Sequence, residues 1–293
     1  MPRQPSARRR GKSPGPCASV TWGRPAPSAR RPSRAAILAA SDAPVPYSTF
    51  ADAYEAALGG AVEAALLPIE NSIEGSVGAV LDLLVHRPGL RIRRELLLPV
   101  RQHLLAPPGT RLEDVRRVLS HPQPLGQCAR FLRTRLPGAT LEATHSTADA
   151  ARTVAAGGPG VASIGSRAAA ARYGLEVLAE DIQDAGENVT RFVLVAAGAE
   201  PPTGADRTSI AFTLDRDRPG GLAEVLGEFS RRGINLSKIE SRPTKEALGH
   251  YVFFLDFEGH QDDQAGAAAL VAVGERVHAL HRLGSYPRCG SPS

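Results

Sequence analysis

The sequence predicts an α/β domain followed by a small ferredoxin-like βαββαβ unit. Three observations point there. Between about residue 36 and residue 197, short apolar runs repeatedly end in small polar residues and lead into helical periodicity, the rhythm of strands alternating with helices. Residues 200–206 (EPPTGAD) are polar and punctuated by Pro and Gly, as a linker is. Beyond them the order becomes strand, helix, strand, strand, helix, strand within about 80 residues. A length of 293 residues suits two domains, and 42% hydrophobic with 22% charged residues allows a packed core.

Residues 1–34 stand outside this pattern. They hold nine basic residues, seven prolines, five serines and three glycines, and no acid. Such a stretch cannot bury enough apolar surface to offset its ordering entropy, so a disordered tail is expected. It has no apolar stretch of the secretory kind, and its prolines suit an amphipathic transit helix badly, so a cytoplasmic location is expected.

The first repeat runs from residues 61–67 (AVEAALL) through PIENS to a helix over 74–85. Residues 115–120 (VRRVLS), 139–144 (ATLEAT) and 160–165 (GVASIG) read as further strands. Each leads into a helix, through His121-Pro122, Ser146-Thr147 and Ser166 in turn, with the helices ending near 135, 156 and 173. Residues 191–197 (RFVLVAA) close the domain as a buried strand, and a mostly parallel sheet is expected. In the second unit, 208–214 alternates as a strand, and 219–232 is a helix with Pro219 in its first turn and Gly233 just past its end. Strands follow at 234–241 and 250–257, a helix at 265–273 and a last strand at 276–286.

Composition excludes several functions. The net charge of +5 is set by the tail: removing its nine basic residues from the total of 35 leaves 26 against 30 acids, a net of −4 for the rest. A mildly acidic body argues against a nucleic-acid partner, which needs a basic face on the folded part. No apolar run approaches the roughly 18 residues of a membrane span. Cys17, Cys128 and Cys289 are far apart and form no CxxC pair, so no metal site is expected.

Chemistry in an α/β sheet gathers where strands give way to helix N-termini, whose free N–H groups and dipoles attract anions. Asn71, Ser72, His121, Gln123, Ser146, Thr147 and Ser166 lie at four such junctions. Any one of them alone reads as a helix cap before a ligand group; four together point to an anion pocket. Residues 188–192 (NVTRF) put Thr190 and Arg191 at a strand entry, on opposite faces. His121 reads as half-buried, Cys128 as core, and Glu70 and Glu74 as partners of a helix dipole in preference to groups that touch the ligand.

PIENS with Gly75, HPQPLGQC (121–128), STADAA (146–151) and AEDIQD with NVTRF (179–192) resemble the prephenate dehydratase family. DRPGGLAEVL (217–226) and INLSKIESRP (234–243) resemble its regulatory ACT domain. The resemblance implies a two-lobed, periplasmic-binding-protein-like catalytic domain over 35–199. One lobe is 35–102 with 178–199, the other 103–177, and the ACT domain spans 207–286. It implies decarboxylative dehydration of prephenate to phenylpyruvate in L-phenylalanine biosynthesis, with no cofactor and with feedback by L-phenylalanine on a homodimer or homotetramer. Thr190 and Arg191 are then the catalytic pair, Thr190 as a hydrogen-bond donor to the departing hydroxyl, worth roughly 10²–10³ in rate, and Arg191 as a bidentate partner of a carboxylate. Asn71, Ser72, Gln123, Ser146, Thr147, Ser166 and Phe192 bind substrate. Gly220, Gly221, Leu222, Asn235, Leu236, Ser237, Glu240, Ser241 and Arg242 bind the effector, with Gly221 where the family more often has alanine.

The family's first strand and Gly-Pro-x-Gly-Thr-Phe loop have no counterpart in residues 1–34. That segment is therefore expected not to be the natural start of a working enzyme, and the activity to be reduced. Two alternatives stand beside the dehydratase: a phenylalanine-binding sensor without catalysis, and a dehydratase acting on arogenate, which carries an amine in place of the keto group.

Overall fold

A computed structural model describes residues 45–214, 219–245 and 249–289. The expectations for residues 1–34, and the Asp217-Arg218 start of the ACT motif, lie outside the described residues. In chain order, the first lobe opens with α1 (Phe50–Leu58), β1 (Ala65–Asn71), β2 (Gly75–Ser76), α2 (Gly78–His86) and β3 (Arg91–Pro99). The second lobe holds β4 (His103–Ala106), β5 (Arg117–Ser120), α3 (Pro122–Gln127), α4 (Ala129–Arg135), β6 (Thr140–Ala143), α5 (Thr147–Ala156), β7 (Val161–Gly165), α6 (Arg167–Tyr173) and β8 (Glu176–Ala179). The chain returns to the first lobe as β9 (Val189–Ala196). The C-terminal unit is β10 (Asp206–Thr213), α7 (Gly221–Ser230), β11 (Leu236–Pro243), β12 (Tyr251–Glu258), α8 (Gln264–Gly274) and β13 (Ala279–Pro287), the ferredoxin-like order.

Among the described residues three sheets form, ordered β2-β1-β9-β3, β6-β5-β7-β4-β8 and β11-β12-β10-β13. The expected mostly parallel sheet is not what forms. Parallel pairing is confined to β6-β5-β7, while β4 runs antiparallel to β7 and β8. The first sheet is antiparallel throughout. A parallel pair needs a crossover helix, and only the run β5 to β7 supplies one after each strand; β9 re-enters from the other lobe between β1 and β3. The second sheet reaches Ala179, two residues past the lobe boundary expected at 177.

Two chain segments link the lobes side by side: Val100 N donates to Asn188 O at 2.6 Å and Ile182 N to Gln102 O at 2.9 Å. Beside them the His103 ring accepts from Asp181 N, and burial lowers its pKa against the opposing pull of Asp181.

The helix expected from His121 to Arg135 is broken at Cys128 (φ −113°, ψ 16°) into α3 and α4. Cys128 is buried, and burial, reinforced by Asp184, pushes its thiol pKa up to about 12. Only the thiolate is nucleophilic. Cys128 is therefore expected to resist iodoacetamide at pH 8 in the native protein and to label fully in denaturant; native labelling at the unfolded rate would contradict this burial.

The C-terminal sheet is buried on both faces along β10 and β12, while β11 leaves one face exposed. Ile210, Phe212, Leu255 and Phe257 pack under α7 and α8 with Val225, Phe229 and Leu270. The alternate residues Ala211, Val252, Phe254, Leu283 and Tyr286 join the first lobe's core with Leu81, Ile92, Val193 and Val195. A strand covered on both faces reads as a near-continuous apolar run, as β12 (YVFFLDFE) does.

Candidate active site

Asn71, at the end of β1, lies opposite Thr190 of β9 in the ladder. Its Oδ1 accepts from the backbone N–H groups of Ile73 and Glu74 at 2.9 and 3.0 Å, a turn closed by the side chain. Those two donors fix the orientation of the amide. Its Nδ2 then donates to Asn188 Oδ1 at 2.7 Å and to Thr190 Oγ1 at 3.0 Å. Because the threonine oxygen accepts, its own proton remains available to donate outward. Asn188 Nδ2 donates to Gln127 Oε1, and Gln127 Nε2 to Glu74 Oε1, each at 3.4 Å. A continuous chain of polar side chains thus runs from α3 of the second lobe to Thr190 in the first.

This chain borders a cavity of about 560 Å³ between the lobes, lined by Ile73 and Glu74 on one side, Pro122, Gln123, Gly126 and Gln127 on α3, and residues 183–185. Thr190 is half-buried and is joined to that lining through Asn71, which bonds both Thr190 Oγ1 and the backbone N–H groups of Ile73 and Glu74. Asp184 is committed to the start of α4, accepting from Arg130 N at 3.0 Å.

The residues predicted from sequence fall in different places. Thr190, Asn71 and Gln123 come to the cleft region. Ser72 sits beside them as a stitch: its Oγ accepts from Val189 N at 3.0 Å and donates to Glu187 O. Ser146 and Ser166 cap α5 and α6, accepting from Asp149 N at 3.0 Å and Ala169 N at 3.2 Å, and Thr147 opens α5. Phe192 shares Thr190's face of β9 but is buried.

Arg191 is the correction. Expected to meet a substrate carboxylate, it turns to the opposite face and is buried between the first lobe and the C-terminal sheet. There it pairs with Asp256 at 2.8 Å, Glu70 at 3.1 Å and Glu95 at 3.4 Å. Burial works against its charge, but Asp256, Tyr286, Glu70 and Glu95 together hold its pKa above the usual arginine value. Glu70, read as a helix-dipole partner, belongs to this ionic junction instead. Glu74, preferred as a helix-dipole partner over a site group, lines the cavity, and Gln127 and Asn188 were missed as site residues; their signal lay in HPQPLGQC and NVTRF, the motifs that contain them.

The predicted effector residues split by the alternation of β11. Glu240 and Arg242 face the catalytic lobe, Glu240 accepting from the Ser76 hydroxyl and Arg242 pairing with Asp82 at 3.4 Å, whereas Asn235, Ser237 and Ser241 are exposed. Leu236 and Leu222 are half-buried and Gly221 buried at the start of α7. Gly220 precedes that helix at φ 86°, a conformation that favours glycine.

The family model for prephenate dehydratase matches residues 33–200, and that for the ACT domain matches residues 208–275. The chain belongs to the prephenate dehydratase family. It is 45% identical over 230 residues to the prephenate dehydratase of Mycobacterium tuberculosis, an alignment covering 78% of this chain and 71% of the relative. The crystal structure of prephenate dehydratase in complex with L-Phe from Arthrobacter aurescens superposes with a TM-score of 0.76 at 41% identity, covering 83% of this chain and 81% of that one. GqqA, described as a novel type of quorum quenching acylase, is also similar, with a TM-score of 0.75 at 31% identity over 84% and 89% of the two chains. The two-lobed domain followed by an ACT domain is thus the architecture of the family.

Proposed function

We propose that the protein catalyses the decarboxylative dehydration of prephenate to phenylpyruvate, in L-phenylalanine biosynthesis, under feedback by L-phenylalanine at the ACT domain. The observation that carries this reading is Thr190: in a chain of this family, its hydroxyl accepts from Asn71 and keeps its proton for an outside acceptor. As the ring becomes aromatic, the C–O bond to the ring hydroxyl breaks while the carboxylate leaves as CO2. Charge develops on the departing oxygen, and a preplaced donor lowers the barrier at that atom. With Arg191 committed elsewhere, the two substrate carboxylates fall to neutral donors, such as the N-terminus of α5 with Ser146 and Thr147, and the amide of Gln123. A dehydratase is preferred to an acylase because the matching family model and the higher identities are those of dehydratases. The setting is cytoplasmic and the assembly at least a dimer, a reading that rests on the resemblance to the family.

The test is phenylpyruvate formation from prephenate by the purified full chain, with and without L-phenylalanine. Turnover that L-phenylalanine suppresses supports the proposal. L-phenylalanine binding without any turnover would overturn the enzymatic reading in favour of a sensor, and turnover of arogenate alone would overturn the choice of substrate.

A further inference from the structure

Arg191 sits one residue from Thr190, and its side chain is 7% exposed. The three carboxylates around it come from three strands of two domains: Glu70 on β1, Glu95 on β3 and Asp256 on β12 of the ACT sheet. Glu70 and Arg191 are opposite one another in the ladder, and the next pair along is Asn71 with Thr190. A register shift in β1 between Pro68 and Glu70 immediately precedes both pairs, a device that re-aims side chains next to sites.

The first lobe's carboxylates are also shared with the ACT domain's cations. Arg207 reaches Glu95 at 2.5 Å and Lys238 reaches Glu70 at 3.2 Å. Lys238 also donates to Ser76 Oγ at 2.6 Å, and Ser76 in turn donates to Glu240. Ser76 belongs to the short hairpin whose other arm ends in Asn71, with Asn71 opposite Gly75. Inward side chains of β11 therefore hold the hairpin that positions Asn71, while Asp256 holds the strand that positions Thr190.

The junction is not a simple stabilising device. Among the described residues Arg191 Nε has no hydrogen-bond partner, and Arg191 Nη2 meets Asp256 Oδ2 at 2.8 Å as an ion pair outside hydrogen-bond geometry; a buried pair of this kind is weak evidence for stability by itself. Its location beside the reacting hydroxyl gives it another use.

We propose that Arg191 and Asp256 are positioning residues for the dehydration, an ACT-domain carboxylate holding, through Arg191, the strand that presents Thr190. This rests on the dehydratase reading above. It makes the ACT domain part of the support of the active site: an effector that shifts the seating of β11 and β12 moves Asn71 and Thr190 directly, within one chain.

The experiment uses the full chain carrying Asp256→Asn, a near-isosteric change that removes the charge in the other domain. Expected are a fall in kcat of roughly 10–100-fold, the scale of a small misplacement at a reacting group, a KM within about threefold, and partial recovery in Asp256→Glu. A folded Asp256→Asn protein with wild-type kcat would overturn the proposal, since a merely structural carboxylate lowers melting temperature and leaves kcat in the folded protein alone. Amide hydrogen exchange gives a readout that needs no turnover. Residues 71–76 and 189–192 should exchange faster in Asp256→Asn, and unchanged protection there would equally overturn the proposal. If the wild type does not act on prephenate, the dehydratase reading fails while exchange still decides the positioning. Should Asp256→Asn not fold, Lys238→Met is measured in its place, with faster exchange across 71–76 expected and unchanged exchange counting against the proposal.

Discussion

Thr190→Ala is expected to lower kcat for prephenate by about 10²–10³-fold, the usual effect of deleting one preplaced donor to a developing oxyanion, with KM changed by no more than about threefold. The split follows from the role: a single neutral hydroxyl, oriented by Asn71 Nδ2, contributes as charge develops on the departing oxygen and little on binding the dianion. Thr190→Ser retains an acceptor for Asn71 Nδ2 and a proton to donate, and is expected to keep most of the rate. Asn71→Ala removes the amide that orients the hydroxyl and also opens the 71–74 turn, so it should impair both kcat and KM. Steady-state rates of phenylpyruvate formation decide the matter: Thr190→Ala within threefold of wild type would place the chemistry elsewhere.

The sequence made the second lobe and the ACT unit legible because both follow local rules. Each strand of the β5 to β7 run is followed within three residues by a polar side chain, His121, Ser146 or Ser166, that caps the next helix, a signal carried by nearby residues. The first lobe was harder. Its central strand β9 pairs with β1 and β3 across long sequence separations, and β3 begins RIRRE, a charged run that hides a strand by composition. Period-two alternation correctly put Thr190 and Arg191 on opposite faces. It could not tell which face met the cleft and which met the ACT sheet, because that depends on how two domains dock. The same limit applied along β11, where alternation separates Glu240 and Arg242 from Ser237 and Ser241, but only tertiary contact with Ser76 and Asp82 says which set faces inward.

That docking carries a consequence for how the domains communicate. The ACT sheet is not tethered by its linker alone: its second face completes the first lobe's hydrophobic core, with Phe254, Leu283 and Tyr286 against Ile92 and Val193. Tyr286 is fully buried, and burial, strengthened by Asp256, raises its pKa, so it stays a neutral phenol hydrogen-bonded with Ser209 at 2.7 Å. Ser209 in turn donates to Asp256 at 2.6 Å. A neutral hydrogen-bonded pair therefore supports the carboxylate that meets Arg191, and the apolar and ionic parts of the interface form one continuous seam.

Gly284→Ala is expected to break this seam. Gly284 lies on β13 at φ 148°, where a register shift against β10 passes between Ser209 and Ile210. A Cβ at this position would stand 2.3 Å from Ile92 O and 2.8 Å from Ile92 N. Both are main-chain atoms of β3, so no side-chain rotation relieves the clash, and β13 must move off β3. Backbone strain of about 1–3 kcal/mol adds to a similar cost of overpacking, again about 1–3 kcal/mol. At roughly 2–4 °C per kcal/mol for a chain of this size, the melting temperature should fall by on the order of 10 °C. Gly274→Ala is the matched control: its Cβ would meet only Leu280 Cδ2 at 3.9 Å, an ordinary contact near the end of α8, so no loss is expected. Thermal unfolding of both variants separates the explanations. Equal melting temperatures would mean that β3 and β13 are not in close backbone contact in solution. A loss confined to Gly284→Ala, with the 189–192 amides exchanging faster well below the transition, would tie the apolar half of the seam to the strand that holds Thr190.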